Sequence, residues 1–464
     1  MQIKTKSPNS IDPDIFKAYD VRGIYPSQLN EEVLTDIVHA YITFLKPASV
    51  VLAKDVRESG PALWQAAMNA FCEAGVNVTD IGTVSADMYY LAVKDLPVDG
   101  GMFISASHNP RQWNGINFCR QGAKPISSDT GLKEIQRLAE QKVRVRGEKA
   151  GHTKTHDILD AFSDFVLSFI TQKNITPKTL VANGNFGVSE QVFEYIAKKA
   201  NLPLTIIPLN EKPDGTFPKG DPNPLLPENR EETSALMRES KADLGVAWDA
   251  DGDRCFFVDE TGKFIEGYFI TALLAQELLK KHPGEKIIID PRLTWASIEA
   301  IRTNGGTPII SRVGMTIIAE RMEKEGALFA GEMSSHFYFR ENANRDNGII
   351  PLLLILEMLS THKQTLSSLV AQFTKKYFIS GELNFHVANA QTLLKIVQDA
   401  HKDGKVEHIE GLSVEYDDWR FNLRSSNTEP LVRLNVEAKS QKLMEKKTTQ
   451  LVKFIKQCKT KTSS

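Results

Sequence analysis

The chain has 464 residues, 41% hydrophobic and 25% charged, a globular composition at a length that exceeds one hydrophobic core and implies about three or four domains. Lys and Arg total 56 against 58 Asp and Glu, a formal charge of -2, so no basic excess points to nucleic acid and a small-molecule role is favoured. Cys72, Cys119, Cys255 and Cys458 are scattered without C-x-x-C spacing, which indicates neither a disulfide framework nor a zinc site and points to a reduced, cytoplasmic enzyme.

The first eight residues are basic but carry no apolar run behind them, so no secretory signal is expected. The longest apolar run, 349–358, is about half of a membrane span, so no membrane partner is expected either. Short β-branched runs alternate with longer helical patterns along the chain, the signature of α/β layers. The opening segment, Phe16-Lys17-Ala18-Tyr19-Asp20-Val21-Arg22-Gly23, precedes a predicted helix through Leu34, Ile37, Tyr41 and Leu45 and a strand over 49–53. Lys54 and Arg57 follow that strand. Basic residues at a strand's carboxyl end can face a ligand in an open α/β sheet, although ordinary surface charges are the plainer reading.

A helix over 62–74 and a strand over 76–81 lead to Val98, Met102, Phe103 and Ile104, a strand that delivers the chain to Ser105-Ala106-Ser107-His108-Asn109-Pro110. Asn109-Pro110 forces a turn. Ser107 is thereby presented at a strand end with the His108 imidazole beside it, a place for a hydroxyl that accepts and returns a phosphoryl group. A capped Asn-Pro turn would have the same residues.

A polar stretch over 141–156 marks a domain boundary, after which a helix over 158–170 and a strand over 179–182 restart the alternation. The strand expected over 244–248 runs into Asp249-Ala250-Asp251-Gly252-Asp253-Arg254. Carboxylates at every second position of a Gly-containing loop can converge on one divalent cation whose open positions suit phosphoryl oxygens. A calcium EF-hand competes, because Glu260 stands twelfth from Asp249. It fails because Arg254 holds the sixth position, where Gly is needed, and because both flanks read as strands rather than helices. A merely solvated acidic turn is the remaining alternative.

The third region contains a strand over 286–289 followed by Asp290-Pro291-Arg292, then Pro308-Ile309-Ile310-Ser311-Arg312, and closes at Gly331-Glu332-Met333-Ser334-Ser335-His336. Glu332, Ser334 and His336 alternate, so an extended loop would point them the same way toward vicinal sugar hydroxyls, whereas a capped turn before the strand over 337–339 would not. The last region, from about Phe373, carries Arg424-Ser425-Ser426-Asn427-Thr428-Glu429-Pro430 and Arg433. Two arginines around a hydroxyl- and amide-rich turn suit a phosphate clamp, with a polar hairpin turn as the alternative.

Taken together, Ser107 to Pro110, Asp249 to Arg254, Gly331 to His336 and Arg424 to Arg433 resemble the four signature loops of the α-D-phosphohexomutase family, in its order and at its spacing over essentially the whole chain. The Glu-Met-Ser form of the third loop resembles the phosphomannomutase/phosphoglucomutase branch, and Asp417-Asp418-Trp419-Arg420-Phe421-Asn422-Leu423 resembles its bacterial phosphomannomutases. The resemblance implies an α/β protein of four domains, here 1–154, 155–257, 258–371 and 372–464, three of them related α/β units and the fourth a smaller sheet-and-helix domain, with one loop from each meeting in a cleft. It implies that Ser107 is the phosphoserine, with His108 beside it and its phosphate joining Asp249, Asp251 and Asp253 around Mg2+. It implies further that Glu332 and Ser334 read the sugar hydroxyls, that Arg424, Ser426, Asn427, Thr428 and Arg433 hold the idle phosphate, and that Lys17, Tyr19, Arg22, Arg254 and Arg292 line the site.

The implied reaction interconverts mannose 6-phosphate and mannose 1-phosphate, and extends to glucose phosphates, through a hexose 1,6-bisphosphate that also acts as activator. The chain departs from the family pattern where a Lys is replaced by Asn117, and where Thr-Gly-His with a following Lys is replaced by Val313-Gly314-Met315 and Ala319. A hydroxyl that accepts a phosphoryl group must lose its proton. His336, Arg22 or an oxygen on the metal would then take it, and Arg292 and Arg312 would supply part of the lost positive charge. A sugar-phosphate-binding paralogue without turnover, and a metal-dependent phosphatase, are the competing expectations. Sugar preference and oligomeric state are not legible at this level.

Overall fold

The computed structural model describes residues 11–425 and 431–462 of the chain, so Ser426, Asn427 and Thr428 lie outside the described residues. Two compact units result, one of Met1–Phe264 with His336–Lys363, the other of Ile265–Ser335 with Gln364–Ser464.

The first unit holds two α/β sheets. In one, Ser49–Lys54 lies between the parallel strands Asn77–Thr83 and Gly100–Ile104, and Trp113–Arg120 returns antiparallel beside the latter. Ser49–Lys54 has an unbroken buried run from Val50 to Ala53, as expected of a strand covered on both faces. Helix Glu31–Leu45 covers one face and is started by Asn30, whose side chain accepts from the Val33 N–H at 3.0 Å. Helix Ala86–Asp95, which the sequence reading did not anticipate, packs Tyr89 against Phe103 with ring centroids 5.3 Å apart. Eight consecutive residues of that helix are buried, so it has no polar face to mark its period. In the second sheet Lys178–Asn183 is flanked by the parallel strands Leu204–Leu209 and Leu244–Trp248, and Cys255–Val258 closes a hairpin on the latter. The run 349–358 is part of the core helix Ile350–His362, and no helix among the described residues is long and apolar enough to cross a membrane.

In the second unit, Lys286–Ile289 lies parallel between Thr307–Ile310 and Phe329–Gly331. An antiparallel sheet follows, in which Leu431–Ala438 pairs with Trp419–Ser425, Leu383–His386 and Phe378–Ile379. Helices Ala390–Ala400 and Gln441–Thr462 cover it over a core of Phe421, Leu423, Leu434 and Val436.

The residues 332–335 correct the extended-loop expectation. The Ser335 N–H donates to the Glu332 carbonyl at 3.1 Å and Ser335 has φ 66°, so Glu332 and Ser334 lie on a tight turn, and His336 precedes the strand Phe337–Phe339. A left-handed residue between Ser334 and His336 breaks the alternation on which the common direction depended.

Buried Glu190 opens helix Ser189–Lys199, and burial, then Glu194 and Glu211, push its carboxyl up from 4.5 to about 7. The native state therefore holds a proton that the unfolded chain releases first, and the stability linked to this group is complete below pH 4.5 and lost as pH rises through 7. Glu190→Gln is expected to raise the thermal midpoint at about pH 8, with the gain vanishing near pH 4, in unfolding scans at both values.

Candidate active site

The parallel strand Gly100–Ile104 ends at the Ser107 loop, at the sheet's carboxyl edge where open α/β sheets present ligands. Ser107 is buried, and its φ of 49° places it in the left-handed region, a strained position for a residue with a Cβ. Its N–H donates to Ser105 Oγ at 2.9 Å, and Ser105 Oγ donates to Asp251 Oδ2 at 2.9 Å. Ser107 Oγ donates to Asp249 Oδ2 at 3.0 Å and lies 3.1 Å from His108 Nδ1. Desolvation, then the Arg254 and Arg22 guanidinium groups, hold the His108 imidazole well below its usual pKa, so it is neutral at pH 7.

Arg57 fixes the loop from below. Its Nη2 donates to the carbonyls of Ser107 and Asn109, both at 2.6 Å, and its Nη1 to those of Pro110 and Trp113 at 2.9 and 3.0 Å. Asp55 pairs with its Nε at 3.2 Å, and both side chains are fully buried. The surface reading of Arg57 is therefore wrong. Lys54 instead donates to Thr83 Oγ1 at 2.9 Å beside the Trp64 ring. From the other side Arg22 donates to the Ala106 carbonyl at 3.1 Å, to Asn109 Oδ1, and to Asp20 at 2.7 Å. Burial opposes its charge, but Asp20 and Tyr19 raise its pKa, so Arg22 stays a cation and is excluded as a proton acceptor. Lys17 and Tyr19 sit, partly exposed, on the turn before the strand Val21–Ile24.

The acidic loop is the turn between Leu244–Trp248 and Cys255–Val258, both strands as expected. Gly252 has φ 73°, and a Cβ there would lie 2.0 Å from Ser189 Oγ. Only glycine fits on both counts. The Ala86 N–H donates to the Asp251 carbonyl at 2.8 Å, tying this loop to the first sheet. Asp249, Asp251 and Asp253 are buried and offer ligand oxygens within 4.8 Å of one another. Asp251 Oδ1 and Asp253 Oδ1 are buried and accept no hydrogen bond among the described residues, and oxygen donors of this kind fit a hard divalent cation. Burial and the neighbouring carboxylates push Asp251 up to about 8 and Asp253 well above its usual range. Burial also acts on Asp249, but Arg254 outweighs it through bonds of 2.7 and 2.8 Å and keeps Asp249 ionised. His336 Nε2 lies 3.7 Å from Asp253 Oδ1, and Asp253, His336 and Asp346 form a second set of ligand atoms within 4.8 Å that shares Asp253.

The second unit gathers guanidinium groups. Arg292 follows the strand Lys286–Ile289, and its Nε lies 2.8 and 2.7 Å from the two oxygens of Asp290. Asp290 Oδ2 also accepts from the Met333 N–H at 3.0 Å, and Glu332 Oε1 from the Gly314 N–H at 3.1 Å, so the residues 332–335 are bound to the loops before them. Arg424 and Arg433 face each other in register across the last hairpin. Both reach Glu382, at 3.3 and 3.0 Å, and Arg292 Nη1 lies 3.6 Å from the same carboxylate. Ser334 is partly exposed.

Each unit thus brings its share of the expected residues together. Asp55, Ser105 and Glu382 are site-forming residues that sequence reasoning missed, and Arg57, raised there as a charge facing ligand or solvent, is instead a buried support of the Ser107 loop. The one available signal was Lys54-Asp55-Val56-Arg57 at a strand end, where an acid two positions before an arginine can neutralise it in a buried place. Of the departures from the family pattern, Asn117 stands opposite Phe103 on its sheet with a buried Oδ1 that accepts no hydrogen bond among the described residues, and Ala319 is buried on helix Met315–Glu325.

A serine hydroxyl bonded to an ionised carboxylate, next to a three-carboxylate cradle, is the equipment of a metal-assisted phosphoryl-transfer enzyme built on α/β domains. Residues 13–145, 159–262 and 266–377 match the phosphoglucomutase/phosphomannomutase alpha/beta/alpha domains I, II and III, and residues 382–453 match the C-terminal domain of the same family. The chain belongs to the phosphoglucomutase/phosphomannomutase family, with its four-domain α/β architecture. It is 45% identical over 453 residues to a phosphomannomutase of Vibrio cholerae, covering 95% of this chain and 98% of that protein. It is also 45% identical over 450 residues to a phosphomannomutase of Salmonella typhimurium, covering 95% and 99%. A solved phosphoglucomutase/phosphomannomutase family protein of Burkholderia thailandensis superposes with a TM-score of 0.86 at 29% identity, over 96% of this chain and 98% of that one. An N-acetylphosphoglucosamine mutase of Aspergillus fumigatus, solved with GlcNAc-6P and magnesium, shares the fold with a TM-score of 0.59 at 12% identity, over 99% and 97%.

Arg57→Ala leaves Asp55 and four carbonyls without their buried partner and is expected to cost about 3–5 kcal/mol of unfolding free energy in denaturant titrations. Arg57→Lys keeps a charge but not the planar fork, and is expected to recover less than about half of that loss.

Proposed function

We propose that the chain is a phosphomannomutase that interconverts mannose 6-phosphate and mannose 1-phosphate, and accepts glucose phosphates, by way of a phosphorylated Ser107 and a hexose 1,6-bisphosphate. The bond from Ser107 Oγ to Asp249 carries this reading, because a serine donating to an ionised carboxylate beside the acidic cradle can be relieved of its proton and take up a phosphoryl group. Phosphoserine gives its phosphoryl group to the free sugar hydroxyl, the resulting bisphosphate turns over, and its other phosphate returns to Ser107. A trace of free bisphosphate serves as activator by phosphorylating Ser107.

Asp249, Asp251 and Asp253 would hold Mg2+, which when bound spreads the negative charge of the transferring group. The magnesium bound to the Aspergillus fumigatus mutase supports that choice of ion. Neutral His108 shares the Ser107 hydroxyl with Asp249 and steadies its proton as the phosphoryl group comes and goes. His336, beside Asp253, is the group that takes the proton of the sugar hydroxyl in place of the two lysines and the histidine replaced by Asn117, Ala319 and Met315. Arg22, a lasting cation on the Ser107 loop, and Arg254 offset phosphoryl charge. Glu332 and Ser334 bind sugar hydroxyls, while Arg292, Arg424 and Arg433, with Ser426, Asn427 and Thr428, hold the phosphate that is not reacting. Lys17 and Tyr19 contribute to the same substrate site. Binding without turnover is disfavoured, since the relatives named phosphomannomutase match over nearly their whole length. Four free cysteines, three of them buried, accord with a reducing cytoplasm.

A coupled assay with mannose 1-phosphate and with glucose 1-phosphate, in magnesium and a trace of bisphosphate, tests the proposal. Turnover in the wild type and its loss in Ser107→Ala are expected, while net release of inorganic phosphate would indicate a phosphatase. Magnesium at roughly a hundredfold excess over its Kd is expected to stabilise the wild type by about 2.7 kcal/mol in thermal unfolding. Asp251→Asn, which removes one ligand charge, is expected to lose that stabilisation while remaining folded.

A further inference from the structure

Glu382 is a carboxylate in the midst of the arginines proposed to bind phosphate, and the following inference rests on that reading. Its Oε1 accepts from Arg433 Nη1 at 3.0 Å, its Oε2 accepts from Arg424 Nη2 at 3.3 Å, and Arg292 Nη1 lies 3.6 Å from Oε2. Two oxygens facing guanidinium forks reproduce what a phosphate would offer the same groups. Asp290 serves Arg292 differently. It is bonded along one edge of that guanidinium and to the Met333 N–H, and so is committed to the fold. Glu382 follows Gly381, whose φ is 70°, and precedes the strand Leu383–His386; it is partly exposed and its side chain is one methylene longer than that of Asp290.

The proposed reaction requires these arginines to grip a phosphate, release it, and grip the other phosphate of the same sugar. Arg424 is buried and among the described residues has, besides Glu382, only the Glu410 carboxylate at 4.0 Å, so losing a phosphate with nothing in its place would leave a desolvated cation poorly compensated. We propose that Glu382 is an exchange ligand for the phosphate clamp, a resident carboxylate that occupies the three arginines whenever phosphate leaves and so sets how readily they let it go. Glu382 touches neither the reacting phosphoryl group nor Ser107 in this scheme. It positions the arginines in the empty clamp and competes with the substrate for them.

Glu382→Gln keeps the size and the acceptor oxygen but removes the charge, and Glu382→Asp keeps the charge. Titration calorimetry with mannose 1-phosphate, in a Ser107→Ala background that prevents turnover, is expected to show about tenfold tighter binding for Glu382→Gln. With Ser107 present, the same variant is expected to lower kcat and KM together, because release slows, while Glu382→Asp stays nearer the wild type. Unchanged or weaker binding by the Gln variant, with KM raised, would mean that Glu382 only orients the arginines and would overturn the inference alone. Binding by neither chain would overturn the inference and the proposed function together. Tighter binding by the variant in a protein whose wild type has no turnover would overturn only the mutase reading.

Discussion

One buried guanidinium determines where Ser107 can be. The Ser107 loop turns four carbonyl groups toward the interior, and a loop of that shape is stable only if those acceptors find donors that are themselves out of water. Arg57 meets all four, and Asp55 neutralises it, so the left-handed backbone of Ser107 is held by contacts made beneath it. Strain of this kind costs about 1–3 kcal/mol and persists where the surroundings over-determine it. With the backbone fixed from below, the Ser107 hydroxyl is left to point at Asp249.

The same logic of compensated burial recurs through both units. Arg254 keeps Asp249 ionised among carboxylates that would otherwise take up protons, and Asp290 keeps Arg292 charged while bonding the turn that carries Glu332. The first unit collects carboxylates around a serine and, among the described residues, leaves Asp251 Oδ1 and Asp253 Oδ1 without donors. The second collects guanidinium groups around Glu382. An excess of acid in one place and of base in another, each short of full compensation, leaves one place suited to a cation and the other to an anion.

The departures at Asn117, Met315 and Ala319 remove basic side chains without disturbing this frame. Asn117 remains on its strand opposite Phe103, and Ala319 is buried on a regular helix. His336 stands next to Asp253, 3.7 Å from its Oδ1.

Much of this was legible in the residues alone. The strands Leu244–Trp248, Cys255–Val258, Lys286–Ile289 and Phe337–Phe339 are short apolar runs bounded by polar turns, and local chemistry suffices to define such elements. The acidic loop could be separated from an EF-hand because glycine is missing where a sharp turn needs it. Helix Ala86–Asp95 was hidden, since burial on every side erases the period that amphipathic helices display. The turn of residues 332–335 was hidden too, because one dihedral at Ser335 reverses what alternation implies. The sequence by itself determined which chemical groups this protein owns and the order in which its strands and loops present them. Only the tertiary structure decided that Arg57 lies buried under Ser107 and that Glu382 stands among the arginines. The reason is physical: whether a charge faces water, a ligand or another charge depends on partners 42 to 90 residues away, brought near by packing that no local pattern encodes.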